Sequence, residues 1–184
     1  FRQMVNIETK QRIARATLDL IQNGDTVFIS GGTTTMELVR LIPHQRRLTV
    51  ITNAFRLASM LIDVPGVELI VLGGVLRPGE QTMHGHLTEW GVHQFRADKL
   101  IFGTEAISLQ HGITHSQLLE VSTDRALVNA ATQVFVLADH TKFGKVAPAF
   151  VLSLDKVHVL VSDQELPGDI VQVLKEKNIQ VILA

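Results

Sequence analysis

The sequence predicts an α/β fold, a largely parallel sheet covered by helices on both faces. Two observations carry this. Short apolar, β-branched runs alternate along the chain with segments of helical spacing. Most of those runs are continuously apolar rather than alternating, the pattern of strands buried on both sides. The 184 residues contain no internal repeat, low-complexity tract or linker. Residues 1–184 therefore read as a single domain.

Ile7–Asn23 places Ile13, Ala16, Leu20 and Ile21 at helical spacing, with Gly24 where a C-terminal cap would stand. Asp25–Ser30 is the first strand, and Thr33–Leu41 a helix that stops before Pro43. Leu48–Thr52 is the second strand, with Asn53 as cap of a helix running through Leu61. Val67–Leu72 is the third, ended by Gly73 and Gly74. LRPGEQTMHGH has loop residues throughout, and Leu87–Phe95 is a short helix. Lys99–Gly103 is the fourth strand, and residues 104–115 hold a glycine-containing turn. Leu118–Ala131 is helical, and Gln133–Asp139 is the fifth strand, followed by the loop HTKFGK. Val157–Ser162 is the sixth strand, Asp169–Lys177 a helix and Gln180–Ala184 a final strand.

Composition excludes several classes. A net charge of −1 lacks the basic footprint of a module that binds nucleic acid by itself. With no cysteine there is no disulfide framework and no thiolate metal site, which fits a cytoplasmic location. The longest apolar runs fall far short of the ~20 residues of a membrane helix, and the N-terminus has no signal core. The chain opens on Phe1 rather than methionine, and a helical pattern begins within a few residues. That start reads as a fragment or a trimmed chain.

In a parallel sheet, ligands bind beyond the carboxyl ends of the strands. The strand-to-helix turns are therefore the candidate sites: SGGTTT, TN, GG, GTEA and ADHTKFG. In the first, Gly31 and Gly32 let backbone approach a ligand, and Thr33, Thr34 and Thr35 open a helix whose N–H groups suit phosphate oxygens. The same threonines can instead be a helix cap with exposed neighbours. The stretch is neither a Walker A loop nor G-x-G-x-x-G, so a dinucleotide is not expected. Asp139 and Lys142 can contact a sugar hydroxyl and a phosphate, or form a surface ion pair. Glu120 is a ligand contact, a general base or an exposed helical carboxylate. His84 and His86 have no identifiable third and fourth ligands, and His111, His115 and His140 are scattered, so no metal is expected. No G-x-S-x-G elbow supports a hydrolase triad. No cofactor and no catalytic residue are assigned.

The order SGGTTT, VITN, VELIVLGGVLRPG, RADKLIFG, LLE and VLADHTKFG resembles the C-terminal effector-binding domain of DeoR-type bacterial transcription regulators. The resemblance runs from about Glu8 to Asp163. It implies a fold similar to ribose-5-phosphate isomerase and the CoA-transferase group. It also implies a phosphorylated sugar as effector, a homo-oligomer, and DNA contacts made by a helix-turn-helix domain preceding residue 1. Gly31, Gly32, Thr33, Thr34 and Thr35 match the family's phosphate-side loop. Thr52 and Asn53 match its second turn, Gly73 and Gly74 its third, Glu120 its helix-start acid, and Asp139 and Lys142 its late loop. Family members commonly carry Asp at Ser30, Gly at Ala106 and Lys at Asp124. Positions 84 and 86 are usually apolar, proline or small. The change at Asp124 replaces a possible cationic contact with a carboxylate, which admits a different metabolite.

Two functions follow. The first is a ligand-sensing module of a carbohydrate-gene repressor. The alternative is a sugar-phosphate aldose–ketose isomerase, with Glu120 or Asp139 as base. Fold likeness does not transfer chemistry, and no distinct catalytic constellation accompanies those two acids, so the sensor is preferred.

Overall fold

The structure is a computed structural model that describes residues 5–42 and 47–184; Pro43 lies outside them. Its helices are α1 (Ile7–Leu18), α2 (Thr33–Leu41), α3 (Phe55–Leu61), α4 (His86–His93), α5 (Leu118–Asn129) and α6 (Gly168–Glu176). The strands are β1 (Thr26–Ile29), β2 (Leu48–Thr52), β3 (Val67–Val71), β4 (Val75–Arg77), β5 (Thr82–His84), β6 (Ala97–Gly103), β7 (Ala106–Ser108), β8 (Gly112–His115), β9 (Ala131–Leu137), β10 (Ala149–Leu152), β11 (Val159–Ser162) and β12 (Gln180–Leu183).

Seven strands form one sheet in the order β12-β11-β9-β6-β1-β2-β3, and every pairing is parallel. Successive side chains of a strand enter opposite cores. Val27 and Ile29 pack with α1, α2 and α3, together with Ile101, Phe135, Leu137 and Val161. Phe28, between Val27 and Ile29, joins Leu100, Phe102, Val134, Val136 and Leu160 in the other core, under α4, α5 and α6. Two packed faces explain why the strands read as unbroken apolar runs.

From β1 the chain winds outward to β2 and β3, then returns to place β6 on the other flank of β1. The strand order reverses between β1 and β6. Such a reversal opens a crevice at the carboxyl ends of the strands.

LRPGEQTMHGH is not loop throughout. β4 and β5 form an antiparallel hairpin, with Val75 opposite His84 and Arg77 opposite Thr82. Gln81 adopts φ 55° at its turn. Strands this short carry too few residues for a period to show, and the hairpin is held by tertiary contacts. Phe55 N–H donates to Gln81 O (2.8 Å) and Met83 N–H to Asn53 O (2.7 Å). For the same reason residues 104–115 hold β7 and β8, which join β10 in a second antiparallel sheet. The first helix ends at Leu18 rather than Asn23. Gly24, at φ +92°, belongs to the turn into β1 and donates its N–H to Arg47 O at 2.6 Å. Asn53 does not cap α3; Ala54 is the N-cap and has no side-chain bond.

Candidate functional site

The crevice between β1 and β6 is a cleft of about 410 Å³. Gly31, Gly32, Thr33 and Thr34 form one wall, Gly103 and Thr104 the floor, Asp139 and Lys142 a second wall, and Gln117 and Glu120 a third. Asn6 and Lys10 reach it from the start of α1.

Gly32 is the N-cap of α2, and among the described residues no side chain caps the helix. Thr35, fully buried, aims its hydroxyl back at the carbonyls of Ser30 and Gly32, both at 2.9 Å. It braces the turn instead of capping it. Among the described residues the first-turn N–H groups are thus left without a side-chain acceptor, at the positive end of the helix and beside the cleft. Glycine at 31 has a steric cause: a Cβ there would stand 2.4 Å from Thr82 Cγ2. The hairpin therefore packs directly behind the turn.

Opposite, Asp139 is buried. Its Oδ1 accepts from Thr141 N at 3.0 Å and from the Thr141 hydroxyl, which shapes the loop. Its Oδ2 is 4.0 Å from Lys142 Nζ. That distance leaves the ammonium loosely held and able to turn to an anion in the cleft.

Glu120, in the first turn of α5, accepts from Arg77 Nη1 at 3.0 Å, and Arg77 Nη2 donates to Gln117 Oε1 at 2.9 Å. Arg77 ties the β4–β5 hairpin to the start of α5. Burial and the nearby Asp124 raise the pKa of Glu120, against the pull of Arg77 and His115.

Deeper lies a histidine–carboxylate pair, His115 Nδ1 to Asp124 Oδ2 at 3.1 Å. The His115 ring stacks on Phe102, with 5.6 Å between centroids. Burial disfavours its charge, but the hydrogen bond and field of Asp124, helped by Glu105 and Glu120, outweigh this and hold its pKa above 6.5. His84 goes the other way. Burial lowers its pKa, and Arg77 adds to this against Asp124; its Nε2 lies 2.7 Å from Thr82 Oγ1.

The structure brings together Gly31, Gly32, Thr33, Thr34, Glu120, Asp139 and Lys142 from the sequence reading. Asn53 stands just behind them, with its Nδ2 donating to Met83 O at 2.9 Å. Thr35 and Thr52 are turned inward. The Thr52 hydroxyl donates to Ile29 O (2.7 Å) and accepts from Ala54 N (3.1 Å). Gly73 and Gly74 are not among the cleft residues. Gly73 O accepts from Thr88 Oγ1 at 2.8 Å, and a Cβ on Gly74 would stand 2.0 Å from that same oxygen. Glycine at 74 serves the packing of the hairpin against α4, whereas a Cβ at 73 would meet nothing within 4 Å. Lys10, Gln117 and His115 are cleft residues the sequence reading did not assign. Lys10 had no local signal. His115 stands five residues before Glu120 on the same strand-to-helix connection, which is a signal of a kind.

The model of the DeoR C terminal sensor domain matches residues 5–164. An aga operon transcriptional repressor from Escherichia coli O157:H7 is 29% identical over 179 residues, covering 97% of this chain and 66% of that protein. The glycerol-3-phosphate regulon repressor of Escherichia coli K12 is 31% identical over 182 residues, covering 99% and 72%. The chain thus spans about two thirds of the length of these curated relatives, both of them named as repressors. Among solved structures, ribose-5-phosphate isomerase A from Methanocaldococcus jannaschii aligns with a TM-score of 0.56 at 13% identity, over 75% of this chain and 55% of the isomerase. With the isomerase the chain shares the fold alone. No helix among the described residues is long and apolar enough to cross a membrane.

Proposed function

Because the chain belongs to the DeoR C-terminal sensor domain family, we propose that it senses a phosphorylated sugar or related metabolite for a cytoplasmic, homo-oligomeric repressor of carbohydrate genes. DNA is contacted by a helix-turn-helix domain N-terminal to this chain. One observation carries the effector reading. The uncapped start of α2 and the loosely held Lys142 face one cleft, at the strand-order reversal of a parallel sheet. The phosphate sits at the Gly31–Thr34 turn, and Glu120 and Asp139 receive sugar hydroxyls. A relative named for a glycerol-3-phosphate regulon supports a small phosphorylated ligand.

Asn6 and Lys10, at the start of α1 and so on the side of the proposed N-terminal DNA-binding domain, both border the cleft. An effector that touches them in one arrangement of the oligomer and not in another shifts the population of the two, through that difference in affinity alone. Thermal unfolding tests the reading, since a ligand of the native state must raise the melting temperature. Pentose and hexose phosphates raise it, and the matching unphosphorylated sugars do so far less. Equal shifts from both series would remove the phosphate from the proposal, and no shift from any would remove the effector site.

A further inference from the structure

The cleft has an inner annex. A chamber of about 40 Å³ runs inward from Gly31 and Gly103, and shares His115 and Glu120 with the cleft. Beside Phe102 and Glu80, its wall holds five further polar residues, Ser30, Asn53, Thr82, His84 and Asp124. Each of these five is more than nine-tenths buried. Apart from Asp124 Oδ2, which meets His115 Nδ1 at 3.1 Å, three present a polar atom without a hydrogen-bond partner among the described residues: Ser30 Oγ, Asn53 Oδ1 and His84 Nδ1. Buried polar atoms in native proteins are nearly always paired. Three orphans around one void mark the place of a polar guest.

The chemistry of the wall says which guest. The Asn53 nitrogen is committed to Met83 O, so the atom left over is an acceptor. Asp124 and Glu120 add carboxylates to the same wall. The cations that accompany them, Arg77 on Glu120 and His115 on Asp124, leave each carboxylate further lone pairs. The two carboxylates also stand close enough that the charge of Asp124 raises the pKa of Glu120. A positively charged group with several N–H donors relieves that repulsion and reaches the Asn53 acceptor. A hydroxyl donates once, and an anion is repelled. The volume holds one small group, since a water molecule occupies about 30 Å³ of liquid. His115 faces the same void, so its proton competes with the guest for Asp124.

We propose that this chamber is a specificity pocket for a protonated amine at the end of the effector remote from its phosphate, received by Asn53 Oδ1, Asp124 and Glu120. The effector class is thereby an amino-sugar phosphate. The inference rests on the sugar-phosphate reading above.

Calorimetric titration of the protein with matched ligands tests it: glucosamine 6-phosphate and galactosamine 6-phosphate against glucose 6-phosphate, galactose 6-phosphate and the N-acetylated hexosamine phosphates. At least one free-amine compound should bind roughly tenfold tighter than its hydroxyl and N-acetyl counterparts. Asp124→Asn should erase that preference, and Ser30→Ala, which leaves the charges in place, should reduce it. Hexose phosphates that bind as tightly as the hexosamine phosphates overturn the amine pocket and leave the phosphate site standing. So does a preference that survives in both variants. If no phosphate of any series binds, the sugar-phosphate reading falls and takes this inference with it.

Discussion

His115 Nδ1 lies 3.1 Å from Asp124 Oδ2, a carboxylate almost without solvent contact. The pair holds the His115 proton more tightly in the folded chain than in the unfolded one. Its contribution to stability is therefore fully present below pH 6.5, and is lost as pH rises through the raised folded value. His84, lowered chiefly by burial, contributes in the opposite sense: present above 6.5 and lost as pH falls. Asp124→Asn removes what supports the charge of both. It should lower the melting temperature more at about pH 6 than at about pH 8.5. A difference from wild type that does not change with pH would show that His115 carries no proton linked to Asp124.

The Arg77–Glu120 pair joins the β4–β5 hairpin to α5, and neither side chain is more than a third exposed. Arg77→Ala leaves Glu120 beside Asp124 with no guanidinium, and should cost about 1–3 kcal/mol. Neutralising the acid as well, in Arg77→Ala with Glu120→Gln, should recover part of that loss. A double-mutant cycle by urea unfolding reads the coupling. Strictly additive losses would mean the bridge contributes nothing beyond its two side chains.

The Gly31 turn owes its residue to a contact from another part of the chain. An alanine there would press on Thr82 Cγ2, and overpacking of this kind costs about 1–3 kcal/mol. Thr82→Ser removes the methyl and keeps the hydroxyl near His84 Nε2. Gly31→Ala should therefore be destabilising in the wild-type background and much milder beside Thr82→Ser. The same loss in both backgrounds would place the strain in the backbone of residue 31 instead.

That contact also shows where the sequence stops informing. The sheet was legible because a strand buried on both faces, such as Lys99–Gly103, leaves an apolar run that nothing else explains. The turns after β1 and β9 were legible because glycine and threonine at a strand end, or Asp139 with Lys142, are local patterns. Thr35 and Thr52 share the composition of a ligand turn, and only their geometry shows hydroxyls spent on backbone carbonyls. Ser30, Asn53, His84 and Asp124 come from four separate segments. Their meeting in one chamber depends on the hairpin docking, which no period in LRPGEQTMHGH encodes.

Lys142 gives the cleft a cation whose nearest carboxylate, on Asp139, stands 4.0 Å away. At that separation the pair is largely electrostatic, and a phosphate at the uncapped start of α2 offers the ammonium shorter, charge-assisted hydrogen bonds. Lys142→Ala should weaken binding of a sugar phosphate by roughly tenfold, about the worth of one such bond. It should leave stability nearly unchanged, because a partly exposed pair at this distance adds little. The phosphate contribution should also decline as salt is raised, and decline less in the variant. Titration calorimetry at two salt concentrations checks both statements. Unaltered affinity in Lys142→Ala together with an unaltered salt dependence would move the phosphate away from the β9 loop, towards the Gly31–Thr34 turn and Lys10.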